Sequence, residues 1–159
     1  MNNALAGSRV TVRPVNPGDL PLIEGWWPEA AAAVRGVREP VALYELHRTI
    51  GDDVSETLVI AWADAPAPIG LLVYRLTDNG WLEFRFLALA KGLRGWGYGS
   101  EAVRLIEESG RAQRFAADVY AKNGLGLYFW LRMGYRPGRP PWKKREAGDR
   151  TTMIREQEE

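Results

Sequence analysis

The chain has 159 residues, a length that suits one domain, able to bury about two thirds of the surface its unfolded form exposes. Its composition, 46% hydrophobic and 26% charged, is that of a folded globular protein, and a net charge of +1 leaves no global field to recruit nucleic acid or an anionic membrane. The absence of cysteine excludes disulfides, thiolate metal sites and a cysteine nucleophile, and the one histidine, His47, is all that metal or serine-histidine chemistry would have to rest on, so no metal is expected. Met1 to Leu5 carries no basic segment leading into an apolar run, and no stretch reaches transmembrane length; a cytoplasmic location is the expectation.

In chain order, Val10 and Val12 alternate with Thr11 and Arg13, which predicts a first strand ending near Pro14. Asn16-Pro17-Gly18-Asp19 carries helix-starting chemistry, and a short helix with Leu20, Ile23 and Trp27 is expected to stop before Pro28. Glu29 to Arg38 has an alanine run and little pattern, a helical or irregular link. Glu39-Pro40 then opens a second helix whose Leu43, Leu46, His47 and Ile50 share a stripe, closed by Gly51. On that stripe His47 reads as a packed, hydrogen-bonded side chain rather than a catalytic one.

Thr57 to Trp62 is a second strand, broken by Asp64-Ala65-Pro66-Ala67-Pro68, and Ile69 to Leu76 a third. Asn79-Gly80 predicts a two-residue hairpin turn, because both of its central positions need positive φ. That turn sets Asp78 opposite Trp81, Leu76 opposite Glu83, Arg75 opposite Phe84 and Tyr74 opposite Arg85. Glu83, Arg85 and Tyr74 then share a face, and Arg75 is not the neighbour that neutralises Glu83.

Trp81 to Leu89 is apolar at nearly every position, as a strand covered on both faces requires. It leads through Ala90 to Leu93 into Arg94-Gly95-Trp96-Gly97-Tyr98-Gly99-Ser100 and a helix carrying Ala102, Val103, Leu105 and Ile106, stopped by Gly110. A helix N-terminus offers unpartnered N–H groups and about half a positive charge, and glycines at 95, 97 and 99 clear side chains from its approach. The stretch therefore reads as an anion site. Phe115 to Tyr120 follows as a strand, Leu125 to Met133 as a helix, Tyr135-Arg136-Pro137 as the start of a strand, Gly138 to Arg150 as a solvated loop and Thr151 to Arg155 as a last strand.

Arg94-Gly95-Trp96-Gly97-Tyr98-Gly99 resembles the Gln/Arg-x-x-Gly-x-Gly/Ala signature of the GNAT superfamily of N-acetyltransferases, and Asn123 to Tyr135 resembles that family's later motif of an asparagine, a helix and a Gly-Phe/Tyr pair. The order of elements is also similar over nearly the whole chain. The resemblance implies an α/β fold in a single domain: a six- to seven-stranded mixed sheet with helices on both faces, whose fourth and fifth strands splay to admit the pantetheine arm. It implies acetyl-CoA as cosubstrate and direct acetyl transfer to a primary amine, small-molecule or peptide, with homodimers frequent among relatives.

Carried over, Leu87 and Leu89 offer main-chain groups to the arm, with the Leu89 N–H near the acetyl oxygen. Arg94, Gly95, Gly97 and Gly99 line the pyrophosphate, Asn123 contacts the arm, and Glu83 stands where some members carry a glutamate base. One departure is plain: Trp130 fills the place of the usual proton-donating tyrosine, and Tyr128, two residues away, lies about 200° around the helix. That departure keeps open a non-catalytic acyl-CoA-binding or sensing domain of the same fold. Gly97 to Ala102 also fits a dinucleotide fingerprint with Asp118 downstream, but Ala90 to Leu93 intervenes after the strand and too little chain follows for a second half.

Overall fold

A computed structural model describes residues 4–77, 79–142 and 148–156. One mixed sheet carries eight strands in the order β1-β2-β3-β4-β5-β6-β8-β7: β1 (Leu5–Ala6), β2 (Val10–Pro14), β3 (Glu56–Trp62), β4 (Ala65–Leu76), β5 (Trp81–Leu89), β6 (Arg114–Tyr120), β7 (Arg136–Pro137) and β8 (Arg150–Glu156). All neighbours run antiparallel except β5 and β6, which are parallel. The strand beyond the expected seven is the two-residue β1, too short to leave a periodic trace in the sequence.

Each face of the sheet has its own core. On one, α1 (Leu20–Arg35) and α2 (Leu43–Ile50) bury Ile23, Trp27, Ala31 and Leu46 against Val59, Leu71 and Val73. On the other, α3 (Tyr98–Glu107) and α4 (Gly124–Arg132) pack Ala102, Val103, Ile106 and Trp130 against Leu72, Phe84, Phe115 and Ala117. Among the described residues no helix is long and apolar enough to cross a membrane.

Three sequence expectations give way here. α1 does not stop before Pro28 but runs through it to Arg35. Proline removes one helix hydrogen bond, but Ala30, Ala31 and Ala32 are strong helix formers buried against the sheet, and Pro28's own carbonyl accepts from Val41 N–H at 3.0 Å. β4 begins at Ala65 rather than Ile69: a tight turn at Ala63-Asp64 returns the chain at once, and register shifts at Ala61 absorb the prolines. His47 is not packed into the α2 stripe; its side chain is exposed, with Nε2 3.4 Å from the Glu24 carboxylate.

The β4–β5 register also differs from the expected one. Thr77 pairs with Trp81, its N–H donating to the Trp81 carbonyl at 2.9 Å, and its carbonyl accepts from Gly80 N–H at 3.2 Å. The loop is thus three residues long, and of its described residues Gly80 alone has positive φ, at +80°, the geometry of a turn closed by a left-handed glycine. Asp78 lies outside the described residues. The one-residue change sets Arg75 opposite Glu83 and Tyr74 opposite Phe84, so Tyr74 joins the α3/α4 core and Arg75 joins Glu83 on the other face. A bulge follows: Tyr74 pairs with Phe84 and Val73 with Phe86, leaving Arg85 as the extra residue.

Candidate active site

β5 and β6 are hydrogen-bonded from Trp81/Arg114 only as far as Phe84/Ala117, although β5 continues to Leu89 and β6 to Tyr120. The gap opens beside the Arg85 bulge, which turns the upper half of β5 away from β6 while keeping it paired with β4 up to Gly70/Leu89. Ala90 N–H donates toward β4, to the Ile69 carbonyl at 2.8 Å. Peptide groups alternate along a strand, so the N–H and C=O groups of Leu87 and Leu89 face the gap.

At the mouth of the gap the chain enters α3. Gly95 and Gly97 have φ of +87° and +85°, and Gly97 is the N-terminal cap. Gly99 closes the geometry: a Cβ there would stand 3.6 Å from Leu87 Cδ2 and from Phe129 Cε1, so the first turn of α3, the splayed half of β5 and α4 converge on one point. Leu87, Leu89, Gly97 and Gly99 are thereby brought together; Arg94 and Gly95 lie on the exposed loop leading to them. Across the gap, Asn123 caps α4, its side-chain oxygen accepting from Gly126 N–H at 2.8 Å, which leaves its amide donors for other use.

Glu83 sits elsewhere, in the paired half of β5, six residues before Leu89 and only 3% exposed. Its Oε1 accepts from Arg75 Nε at 2.8 Å and lies 3.9 Å from Arg85 Nε. Trp142, from the loop read as solvated, covers this corner, packing edge-on against Trp81 at 5.7 Å with the Arg75 guanidinium over its ring. Residues 143–147 of that loop lie outside the described residues.

Aromatic residues divide in a way the sequence left open. Trp130 is core, its ring 5.2 Å from Phe84 and 4.8 Å from Tyr135. Tyr128 is on the outer surface of α4 beneath the Arg132 guanidinium. Trp27 is core on the α1/α2 face, buried against Phe86 at 5.1 Å. Sequence reading passed over Tyr120. It ends β6 at the open part of the gap, and its hydroxyl accepts from Arg150 Nη2 at 2.5 Å while Arg150 Nη1 donates to Asp118 at 2.6 Å. No local signal links residues 30 positions apart.

The profile described as the acetyltransferase (GNAT) family matches residues 22–135, which include β5, the glycine loop, α3 and α4. The chain belongs to that family. No curated protein matches it by sequence. Among solved structures it is similar to an acetyltransferase from Agrobacterium tumefaciens, at 20% identity and TM-score 0.76, over 97% of this chain and 94% of that one. It is similar to RimL, a ribosomal alpha-N-protein acetyltransferase in complex with coenzyme A, at 12% identity and TM-score 0.73, over 98% of each chain. A spermidine N-acetyltransferase from Vibrio cholerae, in complex with CoA and spermine, matches at 19% identity and TM-score 0.68, over 95% of this chain and 97% of that one.

Proposed function

We propose that this chain transfers an acetyl group from acetyl-CoA to a primary amine by direct attack. The observation that carries the proposal is the gap between β5 and β6, lined by Leu87 and Leu89 main-chain groups and leading to the glycine-capped N-terminus of α3. Pantetheine amides match the first feature and a pyrophosphate the second. In this reading the amine nitrogen attacks the thioester carbon. The Leu89 N–H hydrogen-bonds the developing oxyanion, the C–S bond breaks, and the amine's proton leaves to a base. A thiol pKa of about 8.5 lets CoA depart as thiolate without a dedicated acid, so Trp130 in the core slows the reaction without forbidding it.

Glu83 is the carboxylate assigned to accept the proton, and its burial means that it works through water rather than by touching the amine. Replacing it by Gln is expected to lower turnover about 10²-fold or more. An unchanged rate assigns Glu83 to its ion pairs with Arg75 and Arg85 rather than to the reaction. The reaction itself is tested by release of free CoA thiol across a panel of polyamines and peptides with free N-termini, the acceptor classes named for the CoA-bound neighbours, together with small amines. Tight acetyl-CoA binding with no thiol release from any amine favours the second reading, a non-catalytic acyl-CoA sensor, which the placement of Trp130 and Tyr128 away from the gap supports.

A further inference from the structure

We propose that Arg9 is a positioning residue that aims the backbone N–H groups of the glycine loop at the CoA pyrophosphate; the inference rests on the reading of that loop given above. Arg9 immediately precedes β2, between 87 and 92 positions from the residues its side chain hydrogen-bonds. Its Nη1 donates to the Trp96 carbonyl at 2.8 Å, Nη2 to the Gly97 carbonyl at 3.1 Å and Nε to Glu101 Oε1 at 3.1 Å. The other carboxylate oxygen, Oε2, accepts from the backbone N–H groups of Arg9 and Val10, each at 2.8 Å. The guanidinium also stacks 4.9 Å above the Tyr98 ring.

Two consequences follow from this geometry. In a trans peptide the C=O of one residue and the N–H of the next point in opposite directions. Holding the Trp96 and Gly97 carbonyls against the guanidinium therefore turns the Gly97 and Tyr98 N–H groups away from it, toward the mouth of the gap. The Gly97 carbonyl is also held by the Glu101 N–H at 3.1 Å, but the Trp96–Gly97 peptide lies between glycines 95 and 97, which leave peptide planes free to rotate, and Arg9 is what fixes it. Arg supplies a rigid planar fork that lysine lacks.

The second consequence is electrostatic. Glu101 lies in the first turn of α3, where its negative charge suits the helix but repels a phosphate. Arg9 neutralises it at contact distance. Burial alone would raise the Glu101 carboxyl; the Arg9 and Val10 N–H donors and the Arg9 side chain outweigh that and hold it below the usual carboxylate range, so the pair is charged at neutral pH.

The test compares wild type with Arg9→Ala and Arg9→Lys, titrating each with CoA and with acetyl-pantetheine, which keeps the arm but has no pyrophosphate. For Arg9→Ala, the Kd for CoA is expected to rise about tenfold or more, the loss of one charge-assisted contact set, while binding of acetyl-pantetheine is unchanged. Arg9→Lys, which keeps the charge and loses the fork, falls between the two. If Arg9→Ala does not fold, the same two titrations of Arg9→Lys decide. Equal CoA affinity in variant and wild type overturns the inference, as does an equal loss for both ligands, which marks Arg9 as a general brace of the fold. Wild type that binds acetyl-pantetheine but not CoA removes the pyrophosphate site and this inference with it; wild type that binds neither removes the acetyltransferase reading as a whole.

Discussion

Gly36→Val is expected to destabilise the protein by about 2–5 kcal/mol, combining the cost of a left-handed residue with that of an overfilled contact. Gly36 ends α1 with φ of +71°, its N–H satisfying the Ala32 and Ala33 carbonyls. Here α1 meets the turn between β6 and α4: a Cβ on Gly36 would lie 2.6 Å from the carbonyl carbon and oxygen of Lys122 and 2.9 Å from Asn123 N. Those are backbone atoms, so no side-chain rotation relieves the clash. In a chain of this length each kcal/mol lowers Tm by about 2–4 °C, so a fall of about 5–20 °C is expected in thermal unfolding. Gly110→Ala is the control, since Gly110 has φ of +83° with open space around it, and it should show the backbone cost alone, about 1 kcal/mol. Equal losses for the two variants would mean that the α1 end does not press on Asn123. The contact also ties the end of α1 to Asn123, the residue proposed to contact the pantetheine arm, so a tolerated Gly36→Ala is expected to weaken CoA binding as well as stability.

Glu107→Ala is expected to cost about 2–3 kcal/mol, because it leaves the buried Tyr135 hydroxyl and the half-buried Arg155 guanidinium without their acceptor. The Glu107 side chain, 2% exposed at the end of α3, accepts from the Tyr135 hydroxyl at 2.7 Å and from Arg155 Nη1 on β8 at 2.8 Å. Tyr135 is fully buried, and burial first, then the adjacent Glu107 charge, push its hydroxyl well above the ordinary range, so it remains a protonated donor at every working pH. The triad joins the end of α3, the connection between α4 and β7, and β8. Tyr135→Phe removes one hydroxyl and should cost only about 1–2 kcal/mol. Urea unfolding of both variants checks the order: a loss for Glu107→Ala no greater than for Tyr135→Phe would contradict a buried charge network in which the carboxylate is the shared member.

What the sequence made legible was what depends on neighbours along the chain. The apolar run of β5, the alternating glycines and the asparagine before α4 carry local signals, and the elements they mark are present, with Gly99 in the first turn of α3 lying against Leu87 and Leu89 of β5. What it hid depends on tertiary context. Pro28 reads as a stop because its cost is local, while the burial of Ala30 to Ala32 that offsets it is not. Asn79-Gly80 is compatible with turns of two or three residues, and the choice moves Arg75 from the face opposite Glu83 to the position directly across from it. Arg9 and Glu101 form a clamp from positions 92 apart, and Tyr120 and Arg150 meet across a strand pair; neither spacing has any periodicity to detect.

The most direct test of the central claim is calorimetric titration of the chain with acetyl-CoA, CoA and NAD, set beside Gly97→Asp. Gly97 needs positive φ and caps the helix whose N–H groups face the proposed pyrophosphate, so aspartate there adds both strain and a repelling charge. The account predicts that wild type binds acetyl-CoA and CoA but not NAD, and that Gly97→Asp, still folded by circular dichroism, loses about a hundredfold in affinity or more, near 2.7 kcal/mol. Wild type that binds neither CoA form, or a Gly97→Asp variant that binds both as tightly as wild type, would contradict it.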